Sequence, residues 1–300
     1  MRTGLIRGVT GLLLAFIVSA VPAHAENKPT ITWLKLDWQP AWINSGPWAG
    51  KGYAQAGERM LQARMQEFDH AVQSVVNVRI YTVIKTMEAC FATAPYRGID
   101  LSPDQRDGLV FSAPTFLFFY HGIIAQEKAL PVIQAHADQG RVDFKRLIED
   151  KAARGAFQPG RVYSRWLNDI FANDPNTGNM FRWSGRTSLT QSMFKMMDAG
   201  RFDYFVDYYA MLRFHQLTEG NSGHYSYYPI LEHENEFGMG GIVCNDTPQG
   251  RMVIARINEI LSSLRQTDEF TNANAFWLMP PGQEAKYWRL WHQELLTRTD

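Results

Sequence analysis

The chain has 300 residues, with 30 lysines and arginines, 30 aspartates and glutamates, and a formal net charge of zero. A neutral chain lacks the basic excess that a nucleic-acid-binding surface needs, so the composition argues against a nucleic-acid partner. The length suits one two-lobed protein or two compact domains.

The first 25 residues have the pattern of a cleavable export signal. Arg2 and Arg7 provide the charged start, an apolar stretch runs over residues 11–21, and Ala23-His24-Ala25 is a small-x-small cleavage sequence. The apolar stretch is short for a bilayer, which favours a cleaved signal over a membrane anchor. We expect cleavage after Ala25 and a mature chain located in the periplasm.

The first part of the mature chain alternates strand-like and helix-like patterns. Residues 31–36 predict a strand, and the loop that follows carries Trp38 and Trp42. Apolar residues at helical spacing predict a helix over residues 53–68, and residues 75–78 predict another strand.

Residues 102–126 combine a charged turn, which includes Arg106, with two apolar runs at 109–111 and 116–124. Pro114 stands between the runs, and proline cannot donate to a strand ladder. We therefore predict a short strand, a break at Pro114, and a second strand in a new direction.

Two places in the second half suggest binding chemistry. Residues 161–164 are predicted to open a helix that runs to Phe171. The free N–H groups at a helix start attract anions, so Arg161 and Ser164 are candidate contacts. The alternative is that Arg161 is a solvated charge and Ser164 is an ordinary residue at the N-terminus of the helix. Asp207 lies where a short strand gives way to a helix, the usual ligand crevice of open α/β sheets.

Three segments, in this order, resemble bacterial extracytoplasmic solute-binding proteins of the amino-acid-binding type. They are Arg106 with Phe111-Ser112-Ala113-Pro114 and the apolar run after it, Ala199-Gly200-Arg201 with the strand to Asp207, and Gly238–Cys244. Arg106 lies one residue closer to Phe111 than in that family, and Thr115 stands where tyrosine is usual. The chain is thus similar to the family 3 proteins with the type 2 periplasmic binding fold.

The resemblance implies an α/β fold of two lobes, each a mixed open sheet flanked by helices, joined by two crossing hinge strands. The expected parts are a signal peptide (1–25), lobe 1 (26–122 and 237–300) and lobe 2 (123–236). It also places a strand near residues 90–94. Ligand would bind in the cleft and close it.

The same resemblance implies roles for particular residues. Arg106 would hold the ligand's α-carboxylate, Asp207 or its neighbour Tyr208 would hold the ammonium, and an aromatic residue of the first loop would form a wall. The turn after the 90–94 strand would contact the amino group. The candidate ligand-binding residues are Trp38, Trp42, Gly98, Asp100, Arg106, Arg161, Ser164, Asp207 and Tyr208.

Cys90 and Cys244 are the two cysteines of the chain. In an oxidising compartment such a pair is often a disulfide, and two buried free thiols are the alternative. Because the resemblance assigns both to lobe 1, we predict that they are bonded.

The predicted function is the binding of a small polar, amino-acid-like solute by a monomer, for delivery to an inner-membrane ABC-type permease or a sensor kinase. We expect no enzyme activity, metal or cofactor, because the sequence has no HExxH motif, phosphate loop or Ser-His-Asp order. One alternative is a dehydratase-like enzyme on the same scaffold that uses Glu88, Asp100 or His121. Another is a sensor or assembly module that no longer binds ligand.

Overall fold

A computed structural model gives the fold. It describes residues 28–76, 79–159, 161, 163–184, 189–220, 224–233 and 237–299. The predicted signal peptide and its cleavage site lie outside the described residues.

The first sheet has five strands in the order β2-β1-β3-β12-β4. Their bounds are β1 (Thr30–Lys35), β2 (Asp69–Ser74), β3 (Ala89–Pro95), β4 (Leu109–Phe119) and β12 (Phe237–Asn245). Strand β1 runs parallel to β2 and β3, whereas β12 is antiparallel to both β3 and β4. The sheet therefore combines an early segment of the chain with one that returns after the second sheet.

The second sheet also has five strands, in the order β11-β5-β10-β8-β9. They are β5 (Gly122–Gln126), β8 (Gly155–Phe157), β9 (Phe181–Arg182), β10 (Tyr204–Asp207) and β11 (Tyr225–Pro229). Strands β10, β8 and β9 are parallel, and β5 is antiparallel to β10 and β11. A small hairpin of β6 (Ala137–Asp138) and β7 (Arg141–Val142) lies beside this sheet.

Helices flank both sheets. They are α1 (Tyr53–Gln62), α2 (Ile80–Thr86), α3 (Pro103–Arg106), α4 (Leu130–Ala135), α5 (Phe144–Asp150), α6 (Arg165–Asn173), α7 (Leu189–Asp198), α8 (Tyr209–Glu219), α9 (Pro248–Leu264), α10 (Asp268–Leu278) and α11 (Glu284–Leu290). A π-helical turn, Trp291–Leu295, follows α11. None of the helices in the described part of the chain is long and apolar enough to cross a membrane.

The second sheet is buried on both faces, as the alternation along its strands shows. On β5, Ile123 and Ala125 belong to one apolar cluster and Ile124 to another. On β10, Val206 and Phe205 divide between the same two clusters. Because successive strand residues point to opposite faces, each of these short strands supplies two layers of core.

Strand β4 corrects the prediction of a break at Pro114, since it is one strand of 11 residues. It lies at the sheet edge, where a missing N–H is tolerated. Its pairing with β12 shifts register on both sides of the Gly241↔Pro114 pair. Side chains replace the lost ladder bonds there: Asn258 Oδ1 accepts from Ala113 N at 2.8 Å, and Ser112 Oγ accepts from Ile242 N at 2.9 Å.

Two other element predictions need correction. The strand predicted at 75–78 is wrong, because β2 lies earlier in the chain and ends at Ser74. Residues 75 and 76 follow it without strand structure, and residues 77–78 lie outside the described part. The helix predicted over 53–68 ends at Gln62. The strand predicted near 90–94 is confirmed as β3.

The Cys90–Cys244 disulfide is confirmed, and no free cysteine remains in the described chain. The two residues are register partners on β3 and β12. The bond therefore ties the returning strand to the first segment of the same sheet.

Two short segments connect the sheets. Tyr120 and His121 separate β4 from β5, and residues 230–236, of which 234–236 are not described, separate β11 from β12. His233 Nε2 donates to the backbone oxygen of His121 at 3.0 Å. The two connections therefore lie side by side.

Candidate functional site

A cavity of about 810 Å³ lies where the parallel strands of both sheets end. Its wall includes residues that directly follow β1, β2, β8, β9 and β10, namely Leu36, Val75, Gln158, Trp183 and Tyr208. The carboxyl ends of parallel strands are where ligands bind in open α/β sheets. The cavity is also within the range of about 300–1,000 Å³ that ligand pockets occupy.

Arg161 and Asp207 form a buried bidentate ion pair at this edge of the second sheet. Arg161 Nη2 donates to Asp207 Oδ1 at 2.6 Å, and Nη1 donates to Oδ2 at 2.7 Å. The exposed fractions of the two side chains are 9% and 1%. Such a pair is the strong, directional form of ion pair, because the planar guanidinium matches both carboxylate oxygens.

Aromatic rings surround the guanidinium of Arg161. Its central carbon lies 5.4, 5.8 and 5.9 Å from the ring centroids of Tyr208, Tyr163 and Trp38. Burial lowers the pKa of Arg161, but the charge of Asp207 and its hydrogen bonds raise it further, and the net shift is upward. The guanidinium of Arg161 thus keeps its positive charge while it is buried among these three rings.

Three polar side chains on the cavity wall have an atom without a hydrogen-bond partner among the described residues. They are Thr93 Oγ1, Gln158 Nε2 and Trp183 Nε1. The side-chain oxygen of Gln158 accepts from Arg161 Nη1 at 3.3 Å, whereas the NH₂ group of the same amide has no partner among the described residues. Buried polar groups are normally paired, so these atoms are places where a ligand would bond.

Asp100 supplies a carboxylate to the wall, close to the tyrosines Tyr81 and Tyr120. Burial raises the pKa of Asp100, while the charge of Arg165 lowers it, and the net shift is upward.

Five of the predicted ligand-binding residues line the cavity: Trp38, Asp100, Arg161, Ser164 and Tyr208. Asp207 is held against the wall by its bond to Arg161. Ser164 is the N-cap of α6, where its Oγ accepts from Leu167 N at 3.2 Å. The structure therefore brings together residues from both sheets that are far apart in sequence.

Four predicted residues are not in the cavity wall: Asp207, described above, and Trp42, Gly98 and Arg106. Trp42 is fully buried in the apolar core against the first sheet, where it stacks on Phe91 and donates to Glu58 Oε2 at 3.2 Å. Arg106 is exposed in α3, and its aliphatic chain packs over Gly98, which has a positive φ of 62°. Sequence reasoning did not identify Gln158 and Trp183, although both directly follow a strand.

Of the three candidates for the enzyme alternative, Asp100 lines the cavity, whereas Glu88 and His121 do not. Glu88 is exposed and accepts from Asn245 and Thr247. The His121 ring is enclosed between Tyr208 and Tyr163, with centroid distances of 3.7 and 4.7 Å, and both of its nitrogens lack a partner among the described residues. Burial, reinforced by the charge of Arg161, lowers the pKa of His121 and keeps the ring neutral.

No family model matches this chain, and no curated protein matches it in sequence. Solved structures do match its fold. A histidine kinase sensor domain with similarity to periplasmic binding proteins has a TM-score of 0.60 and 13% identity, over 84% of this chain and 97% of that one. An arginine-specific periplasmic binding protein of Salmonella typhimurium has a TM-score of 0.57 and 11% identity, over 83% and 99%.

A substrate-binding protein of an ABC uptake transporter from Streptococcus pneumoniae, solved with bound histidine, has a TM-score of 0.58 and 11% identity, over 84% of this chain and 92% of that one. The chain has the two-lobed periplasmic binding protein fold. The fold class predicted from the sequence is confirmed.

Proposed function

We propose that this protein captures a small amino-acid-like solute in the cavity at the strand ends. The observation that carries the proposal is a cavity walled by residues from both sheets, with polar atoms of Thr93, Gln158 and Trp183 that have no partner among the described residues. Trp38, Tyr208, Asp100 and Ser164 complete the wall and would contact the solute.

The partner would be an inner-membrane ABC-type permease or a sensor kinase, and the site of action the periplasm. Solved structures of both kinds of partner system share the fold, namely binding proteins of ABC transporters and a kinase sensor domain. The chain would act as a monomer, which light scattering on the purified mature protein tests. Deleting the gene separates the partners: a permease partner predicts slower uptake of the solute, whereas a kinase partner predicts unchanged uptake and a lost transcriptional response.

A thermal-shift screen of the purified mature chain tests the binding function. A solute that binds only the native state raises the melting temperature in proportion to the logarithm of its concentration over Kd. Chemical analysis of the solute after incubation distinguishes binding from catalysis, because an enzyme would convert it. If amino acids, short peptides and related polar metabolites all leave the melting temperature unchanged, the proposal is wrong.

A further inference from the structure

Two N–H donors on the cavity wall define what the occupant must offer. Gln158 is 4% exposed, and its side-chain oxygen already accepts from Arg161. Its NH₂ group, which has no partner among the described residues, can only donate. Trp183 Nε1 is likewise buried and unpaired among the described residues, and an indole N–H is a donor only. A ligand that satisfies both must present acceptors.

The two donors belong to one place. Gln158 follows β8 and Trp183 follows β9, and these neighbouring strands are parallel, with Phe157 paired to Arg182. Trp183 N also donates to Phe157 O at 3.0 Å, which continues the ladder to the strand ends. A carboxylate, with two acceptor oxygens in one plane, suits two donors that arise from adjacent strand ends.

Asp207, by contrast, has no need of a ligand cation. Its Oδ1 accepts from Arg161 Nη2 and from the backbone N–H of Tyr208 at 2.6 Å each, and its Oδ2 accepts from Arg161 Nη1. An ammonium group would have to displace bonds within a buried pair. Arg161 and Asp207 therefore already provide each other with the opposite charge that the two charged groups of a zwitterion would otherwise provide.

The remainder of the wall is rich in aromatic rings from both sheets. Tyr208 contacts Trp38 and Phe118, with centroid distances of 6.5 and 5.3 Å, and Tyr53 lies 5.3 Å from Phe116. All five side chains line the cavity. Rings gain most from burial against another apolar or aromatic body, in edge or offset contact.

We propose that the solute is a carboxylic acid with an aromatic body, whose carboxylate accepts from Gln158 and Trp183, and that an ammonium group is not required for binding. This inference rests on the proposed function and narrows its ligand class. Aromatic amino acids and aromatic acids without an amino group both belong to the class.

Four probes that differ by one group each test the ligand class by calorimetry on the mature chain. L-Tryptophan carries the ring, the carboxylate and the ammonium; indole-3-propionate lacks the ammonium, tryptamine lacks the carboxylate, and L-alanine lacks the ring. We expect L-tryptophan and indole-3-propionate to bind within a few-fold of one another. Tryptamine and L-alanine should bind at least tenfold more weakly.

Replacing Trp183 by phenylalanine removes the N–H while keeping an aromatic ring. We expect Trp183→Phe to weaken indole-3-propionate binding roughly tenfold or more, the loss of one hydrogen bond to a charged group. Trp48→Phe is the matched control, because Trp48 packs on Phe276 and Trp277 away from the cavity wall, and it should leave the affinity unchanged.

The results of these experiments can overturn the aromatic-acid proposal alone, or that proposal together with solute binding. If L-alanine or tryptamine binds as tightly as L-tryptophan, or if Trp183→Phe binds indole-3-propionate as well as the parent chain, the aromatic-acid proposal is wrong while solute binding stands. The same holds if the four probes fail and the broader screen yields a ligand without a ring. If no solute in either set binds, both proposals fall.

Discussion

Arg161 and Asp207 are 46 residues apart in the chain, and Arg161 donates two hydrogen bonds inside the protein, one to each carboxylate oxygen of Asp207. Both partners are buried, so each depends on the other for a compensating charge. The consequences for stability follow from removing one charge at a time.

Asp207→Asn should destabilise the protein, because it leaves the guanidinium of Arg161 buried without its counter-charge. Breaking a buried pair in this way typically costs about 3–5 kcal/mol. Urea unfolding at pH 7 measures the change. The control is Asp246→Asn, which breaks an exposed pair with Arg251 and should change stability by less than about 1 kcal/mol. Equal effects in the two variants would contradict the role assigned to burial.

Glu58 should make the protein less stable as the pH rises from about 4.5 to about 7. Burial raises the pKa of this carboxyl to about 7, although the charge of Lys35 and the bond from Trp42 lower it. Because the folded-state pKa of Glu58 lies above the unfolded one, the protonated carboxyl contributes to the free energy of unfolding. This contribution is complete at about pH 4 and is lost as the pH rises through about 7. The loss by pH 9 is on the order of 3 kcal/mol.

Glu58→Gln should remove most of this pH dependence between pH 5 and 9, as followed by melting temperature. Glu149→Gln, at an exposed position, is the control and should leave the slope unchanged. A parent chain whose melting temperature rises steadily from pH 5 to 9 would refute the assignment.

Removing the disulfide should lower stability without changing the fold. The bond joins residues separated by 154 positions, and in the chain-entropy model closing such a loop contributes on the order of 5 kcal/mol. We expect Cys90→Ala with Cys244→Ala to unfold at lower urea concentration. Reductant should shift the parent chain and leave the double variant unaffected, and a parent insensitive to reductant under unfolding conditions would argue against the bond.

Arg106→Ala tests whether the family-like arginine holds the ligand. Arg106 is exposed and absent from the cavity wall, so we expect the affinity for the identified solute to change less than about fivefold, near 1 kcal/mol. A charge partner lost from a binding site costs roughly 2–5 kcal/mol. A loss of that size, in a variant with an unchanged melting temperature, would return the anchoring role to Arg106.

The two connections between the sheets should allow the lobes to close on ligand. The expected hinge regions are residues 120–126 and 229–241, which contain the His121–His233 contact. Small-angle scattering with and without saturating solute should show a smaller radius of gyration in the complex. An unchanged radius at saturation would count against closure.

The fold class followed from the family resemblance, which rests on three short segments taken in order along the chain. The placement of Asp207 at the end of a strand followed from a short-range pattern. The continuity of β4 did not, since it depends on its edge position and on bonds from Ser112 to Ile242, 130 residues away.

The site was only partly predictable for the same reason. The sequence nominated Arg161 and Asp207 separately, but nothing in either segment indicates that they bond to each other. Trp42 and Trp38 occupy the same loop with similar surroundings in sequence, and only the packing of Trp42 against Phe91 and Glu58 separates core from cavity wall.

The Cys90–Cys244 bond has a topological consequence. Every strand of the second sheet lies between the two cysteines in sequence. The second sheet is therefore part of the chain loop that the disulfide closes. A single protease cut within residues 123–236 would leave two fragments that migrate as one species on a gel until reductant is added. A nicked molecule would thus keep both halves of its first sheet together.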